Sequence, residues 1–105
     1  MIANTPTPPY YAVIFTSVRT DGDNDYSSTS AKMMSLATDQ KGFLGVESAR
    51  EEVGITVSYW ESLAAIKNWK EQVKHSQART KGRDLWYKKF KVRICKVEKA
   101  YEFEK

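Results

Sequence analysis

The stretch YYAVIFTSVR, Tyr10 to Arg19, constrains the fold more than any other part of the chain. Its β-branched and aromatic residues suit a pleated strand. Tyr11, Val13 and Phe15 make one face apolar, and Tyr10, Ala12, Ile14 and Val18 do the same for the other. A strand of this kind needs cover on both sides.

The rest of the chain offers limited cover. Residues 1–9 hold three prolines and no period, and read as a flexible arm; residues 10–105 read as a single domain. TDGDND is a loop by composition. A short amphipathic helix is predicted from about Tyr26 to Gln40, with Asp25 or Ser27 as cap. Its stripe is Tyr26, Met33, Leu36 and Ala37, and Gly42 lies where a left-handed residue is wanted. GFLGVESAR and GITVSYW form a hairpin. Leu63, Ile66, Trp69 and Val73 then share the face of a second helix, capped by Ser62.

GRDLWY begins a further helical turn, and KKFKVRICKVEKAYEFEK alternates as a terminal strand. Phe90, Val92 and Ile94 share one parity, whereas Val97, Tyr101 and Phe103 take the other. That change of phase implies a bulge between Ile94 and Val97, or departure of the chain from its sheet there.

The order β-α-β-β-α-β defines an α+β, ferredoxin-like antiparallel sheet with helices on one face. Two helices cover one side of four strands. A second copy is the economical cover for the other side, so a homodimer is expected.

Several function classes are excluded or disfavoured. No apolar run approaches the roughly 18 residues of a membrane span. The N-terminus lacks a secretory pattern, and a lone cysteine, Cys95, allows no internal disulfide and no all-thiolate zinc site. A cytoplasmic location is expected. Twelve of the 17 Lys and Arg lie between Lys67 and Lys99, against three acids. That excess would attract an anion, but its scatter over helix and strand faces and the lack of an RNA-binding signature disfavour nucleic acid.

Candidate chemistry centres on few residues. The only histidine, His75, stands in WKEQVKH. At roughly 100° per residue it points about 240° from Trp69, nearly opposite the helix's apolar stripe. It becomes a proton-transfer group only if the helix ends or bends near Val73, or if the outer face is itself a site. One histidine cannot build a His-type metal centre, so no metal is expected. Neither a glycine-rich phosphate loop nor a nucleophile elbow is present. Ser58 and Thr56 share a parity with Trp60 and are placed to line a pocket or simply to face the sheet.

The segments GFLGVES, SYWESLAAIKNWK and GRDLWY resemble the antibiotic biosynthesis monooxygenase superfamily from Tyr10 to about Val97. The pattern W-x8-W-x5-H followed by G-x3-WY is carried by Trp60, Trp69, His75, Gly82, Trp86 and Tyr87. The resemblance implies a dimeric α+β barrel with a pocket between helices and sheet in each subunit. It also implies binding of an aromatic or quinone-like molecule, and in one branch its oxygenation without cofactor. The alternative is a non-catalytic ligand-binding or stress protein of the same fold. In that frame His75 is the catalytic residue, Trp60, Trp69 and Trp86 shape the cavity, and Tyr11, Ser58 and Tyr87 orient the ligand. The haem-degrading branch is similar at Trp69, but its histidine falls near Arg79 and its first-strand Asn has no match between Tyr11 and Ser17. Haem degradation is therefore not implied.

Overall fold

The computed structural model of the chain describes residues 1–23, 25–77 and 83–105, with backbone alone for 74–77 and 83–84. The elements run β1 (Tyr10–Arg19), α1 (Tyr26–Thr38), β2 (Phe43–Arg50), β3 (Gly54–Trp60), α2 (Leu63–Gln77), α3 (Arg83–Trp86) and β4 (Tyr87–Val97). The strands form one antiparallel sheet in the order β2-β3-β1-β4. This is the ferredoxin-like plan expected from the sequence. β1 and β3 are central, which is why β1 had to be apolar throughout.

Both helices lie on one face. Val13 of β1 and Trp60 of β3 meet Ala37 of α1 and Ala65 and Ile66 of α2 in a single core, with Tyr11, Phe43 and Trp69 packed against it. The molecule measures 38 × 31 × 20 Å. Since packed layers lie about 10 Å apart, the short dimension is one sheet plus one helix layer.

Two local expectations change. Leu63, assigned to the inward stripe of α2, is 57% exposed, and Ala65 is buried in its place. The first turn of α2 comes so close to Gly42 that a Cβ there would stand 2.6 Å from the Ala65 Cβ; only a small residue fits. The register from Val18↔Lys89 to Tyr10↔Val97 is unbroken, so there is no bulge between Ile94 and Val97. Instead the chain leaves the sheet after Val97, with Tyr101 and Phe103 almost wholly exposed.

The caps follow local chemistry. Ser62 Oγ accepts the Ala65 N–H at 3.0 Å and closes the start of α2. Asp25 occupies the N-cap position of α1 in a left-handed conformation (φ 66°) without a side-chain cap bond. The capping carboxylate is Asp23, which accepts both the N–H (3.2 Å) and the hydroxyl (2.5 Å) of Ser27.

The other sheet face carries the arm. The Ala3 N–H donates to Glu47 Oε2 at 2.8 Å, and Thr5 and Tyr10 share a hydroxyl hydrogen bond of 2.8 Å. Tyr10 and Ala12 are buried, yet Val53 and Ile55 at the opposite end are 47% and 46% exposed. The arm therefore covers only part of the second face. Beside it a cleft of about 360 Å³ opens between the arm, Glu47, Tyr59 and residues Ala100, Tyr101 and Glu102.

Candidate functional site

The residues singled out from the sequence fall into two groups at opposite ends of the sheet. Tyr11 pairs with Trp60 across β1 and β3, and Trp69 stacks over Trp60 with ring centroids 5.1 Å apart. Trp60 is fully buried, and its indole N–H donates to Ser58 Oγ at 2.9 Å. Ser58, 7% exposed, thus satisfies the buried indole rather than facing a solvent-filled space. Trp69 Nε1 is buried without a hydrogen-bond partner among the described residues.

Trp86 and Tyr87 lie eight residues farther along β1, beside Arg19, about 26 Å away at strand spacing. Tyr87 touches Phe15 (5.4 Å between centroids), Tyr26 (5.8 Å) and Phe90 (5.7 Å); Phe15 stacks on Phe90 at 5.3 Å, and Tyr26 meets Trp86 at 5.9 Å. The side chain of His75 lies outside the described residues, as do the side chains of Asp84 and Arg79.

Tyr87 and Phe90 are three residues apart and would face opposite sides of a regular strand. They reach the same ring because the register shifts between Val18 and Arg19, so that Tyr87, not Lys88, stands opposite Arg19. The irregularity turns the phenol onto the helix side, as bulges commonly do beside functional residues. The parity conflict within WYKKF was its sequence signal.

From this cluster an apolar row continues along β4: Phe90, Val92 and Ile94 are 36%, 40% and 44% exposed on the helix side. The helices pack over β2, β3 and the Val13 position of β1, and among the described residues this row stays partly exposed. Farther along, a groove of about 210 Å³ runs between Ile94 and the α2 residues Leu63, Ile66, Lys67, Lys70 and Glu71.

Polar groups border the aromatic end, and the sequence reading missed them. The Arg19 guanidinium lies 3.5 Å over the Tyr26 ring and donates from Nε to the Trp86 carbonyl at 2.9 Å. Arg50, at the end of β2, reaches across β3 to donate from Nη2 to Ser17 Oγ at 2.5 Å. It crosses directly over Gly54, where a Cβ would fall 2.1 Å from its Cζ. Burial pushes the Tyr87 hydroxyl far above the ordinary tyrosine value; its hydrogen bond with Tyr26 adds to that, and Arg19 and Arg50 oppose it. At neutral pH Tyr87 is therefore a proton donor, not a base. No group of three His, Cys, Asp or Glu side chains suited to a metal ion occurs among the described residues.

A four-stranded antiparallel sheet with its helices packed on one face places the chain in the class of small α+β proteins of ferredoxin-like plan. Within that class the chain belongs to the antibiotic biosynthesis monooxygenase family, whose model matches residues 9–81. It is 50% identical over 105 residues to the uncharacterized protein YqjZ of Bacillus subtilis (strain 168), covering 98% of this chain and 92% of YqjZ. Its fold is shared with a mutant of SnoaB, a cofactor-independent oxygenase from Streptomyces nogalater (TM-score 0.71, 14% identity, 87% of this chain and 95% of SnoaB). PA3566 of Pseudomonas aeruginosa is also similar (TM-score 0.62, 13% identity, 91% of this chain and 99% of PA3566).

Proposed function

We propose that the chain works as a cytoplasmic homodimer that binds a small aromatic or quinone-like molecule on the floor formed by Phe15, Tyr87, Phe90 and Val92, and oxygenates it. The observation that carries this reading is the partly exposed row Phe90, Val92 and Ile94 on the helix side of β4, continuous with the Phe15–Tyr87–Phe90 ring cluster. A flat ring system matches such a surface by area and by ring stacking. Family membership and the fold shared with SnoaB, itself a cofactor-independent oxygenase, support the reaction class.

In this reading the ligand supplies the electrons. An activated ring methylene is oxidised to a ketone: two C–H bonds are lost, one atom of O2 becomes the carbonyl oxygen and the other leaves as water. The protein's part is to hold the ring, exclude water and place proton donors and acceptors. Tyr87 donates, Trp86 backs the ring cluster, and His75 moves the proton. Tyr11, Ser58, Trp60 and Trp69 brace the far end of the sheet beneath α2. Cys95, free and exposed, fits a reducing compartment.

Oxygen uptake on a panel of phenols and anthrols tests the proposal, with His75→Ala as comparison. Wild-type turnover on at least one substrate is expected, falling about 100-fold in the variant if His75 carries the proton. Absence of wild-type turnover across the panel would overturn the enzyme reading. Equal turnover in the variant would remove the role of His75 alone.

A further inference from the structure

The two arginines at the aromatic end have no counterpart in the roles described so far. Arg50 is exposed, and the one hydrogen bond of its guanidinium among the described residues goes to a neutral serine hydroxyl. Arg19 spends its N–H groups on the carbonyls of Trp86, Gly22 and Asp23. No described carboxylate stands within ion-pair distance of the Arg50 guanidinium, although Glu51 and Glu52 follow it directly in sequence.

The local structure keeps that arrangement. Ser17, Gly54 and Arg50 are register partners on the helix side of three adjacent strands, and Phe90 pairs with Ser17 on the fourth. Only glycine at 54 lets the guanidinium lie flat across β3, and Ser17, 1% exposed, pins it there. A planar, permanently charged fork with free donors is thereby held beside the Phe15–Phe90 stack. Such a fork matches an oxyanion in two-point fashion.

We propose that the ligand carries an anionic oxygen on its aromatic ring system, a carboxylate or a phenolate, and that Arg50 is the residue that selects it. The ring lies on Phe15 and Phe90, and the oxyanion meets the free N–H groups of Arg50. Arg19, lying on Tyr26, adds positive charge without direct contact. The proposal rests on the ligand site proposed above and narrows its substrate class; it requires no turnover.

The test is binding, measured by tryptophan fluorescence and calorimetry, of 2-naphthoate against its neutral near-isostere 2-naphthamide. Wild type is expected to prefer the carboxylate by at least about 10-fold. Arg50→Met should reduce that ratio below about 3-fold, and Arg50→Lys should keep an intermediate preference, since a point charge replaces the fork. A third probe, 2-hydroxyanthraquinone, separates the two sources of anion, because its absorbance reports its ionisation. A phenol pKa lowered by at least about 1 unit on binding wild type, but not Arg50→Met, supports the phenolate form. An unchanged pKa alongside a naphthoate preference supports the carboxylate form. Equal wild-type affinity for naphthoate and naphthamide, with no pKa change in the third probe, overturns the proposal while leaving the ligand site standing. Failure of all three probes to bind overturns both. Arg50 is exposed, so thermal melts of its variants within a few degrees of wild type are expected; a ratio unchanged in a folded Arg50→Met also sinks the assignment.

Discussion

Single residues on the second sheet face are tied to pH. Glu47 accepts the Tyr59 hydroxyl and the Ala3 N–H, and those two bonds hold its carboxyl below the ordinary value of 4.5. Tyr59 is pushed up to about 12, first by burial and then by the Glu47 carboxylate. A depressed carboxyl contributes stability above its unfolded value and loses it as pH falls through the folded one. A raised phenol contributes stability below 10 and loses it as pH rises towards 12. Glu47→Gln is therefore expected to lower the melting temperature at pH 7 by about 4–8 °C, for about 1 kcal/mol in a domain this small. The deficit should shrink as melts are run at progressively lower pH, through the depressed folded-state titration of Glu47. A deficit that stays constant from pH 7 down to the lowest pH at which the wild type still folds would show that shape, not charge, is what Glu47 provides.

Elements meet where side chains are smallest. Gly42 joins α1 to β2 with φ +89°, and its α-carbon faces Ala65 in the first turn of α2. Gly42→Ala meets two costs at once, a left-handed backbone and a steric clash, for about 2–4 kcal/mol together. Denaturant unfolding should show that loss. The double variant Gly42→Ala/Ala65→Gly should recover only the steric part, leaving the backbone cost of about 1–2 kcal/mol. Full recovery would mean the backbone conformation is not strained by a side chain. This junction also explains what could be read from the chain beforehand. Strand β1, both helices and the hairpin were legible because each carries its own period. The rotation of α2 that buries Ala65 and exposes Leu63 was not, because periodicity ranks residues by apolarity and ignores the space a neighbouring turn leaves. The candidate site divides in the same way. Trp86 and Tyr87 stood out by type, but their meeting with Phe15 and Phe90 depends on a register shift. The reach of Arg50 over Gly54 was in principle readable, since the three-residue turn 51–53 makes them partners across the hairpin.

At the scale of the molecule, the second sheet face is only partly covered. The arm hides Tyr10 and Ala12, while Ile55 and Val53 stay open and Ile14 and Val57 are half-buried. Beyond Val97, Tyr101 and Phe103 project 98% and 88% exposed. Aromatic side chains bury about 150–250 Å² each when covered. Two tails per dimer would thus add a large fraction of the roughly 800 Å² per partner that a stable interface needs, beyond what the sheet face itself contributes. The outer edge of β4 argues against open-ended association, because Lys89, Lys91 and Arg93 alternate along its second face and like charge discourages edge pairing. A closed pair joined through faces and tails satisfies both constraints. Sedimentation of wild type at micromolar concentration is accordingly expected to give twice the 12.1 kDa chain mass. Ile55→Asp should shift the species to single chains with unchanged circular dichroism. Tyr101→Ser/Phe103→Ser should weaken pairing by at least about 10-fold without touching the sheet, since those residues contact nothing within their own chain that the core requires. If wild type sediments as a single chain up to about 100 μM, the exposed face and tails need another cover, and the homodimer fails while the Arg50 assignment, which lies on the opposite side of the sheet, remains open to its own test.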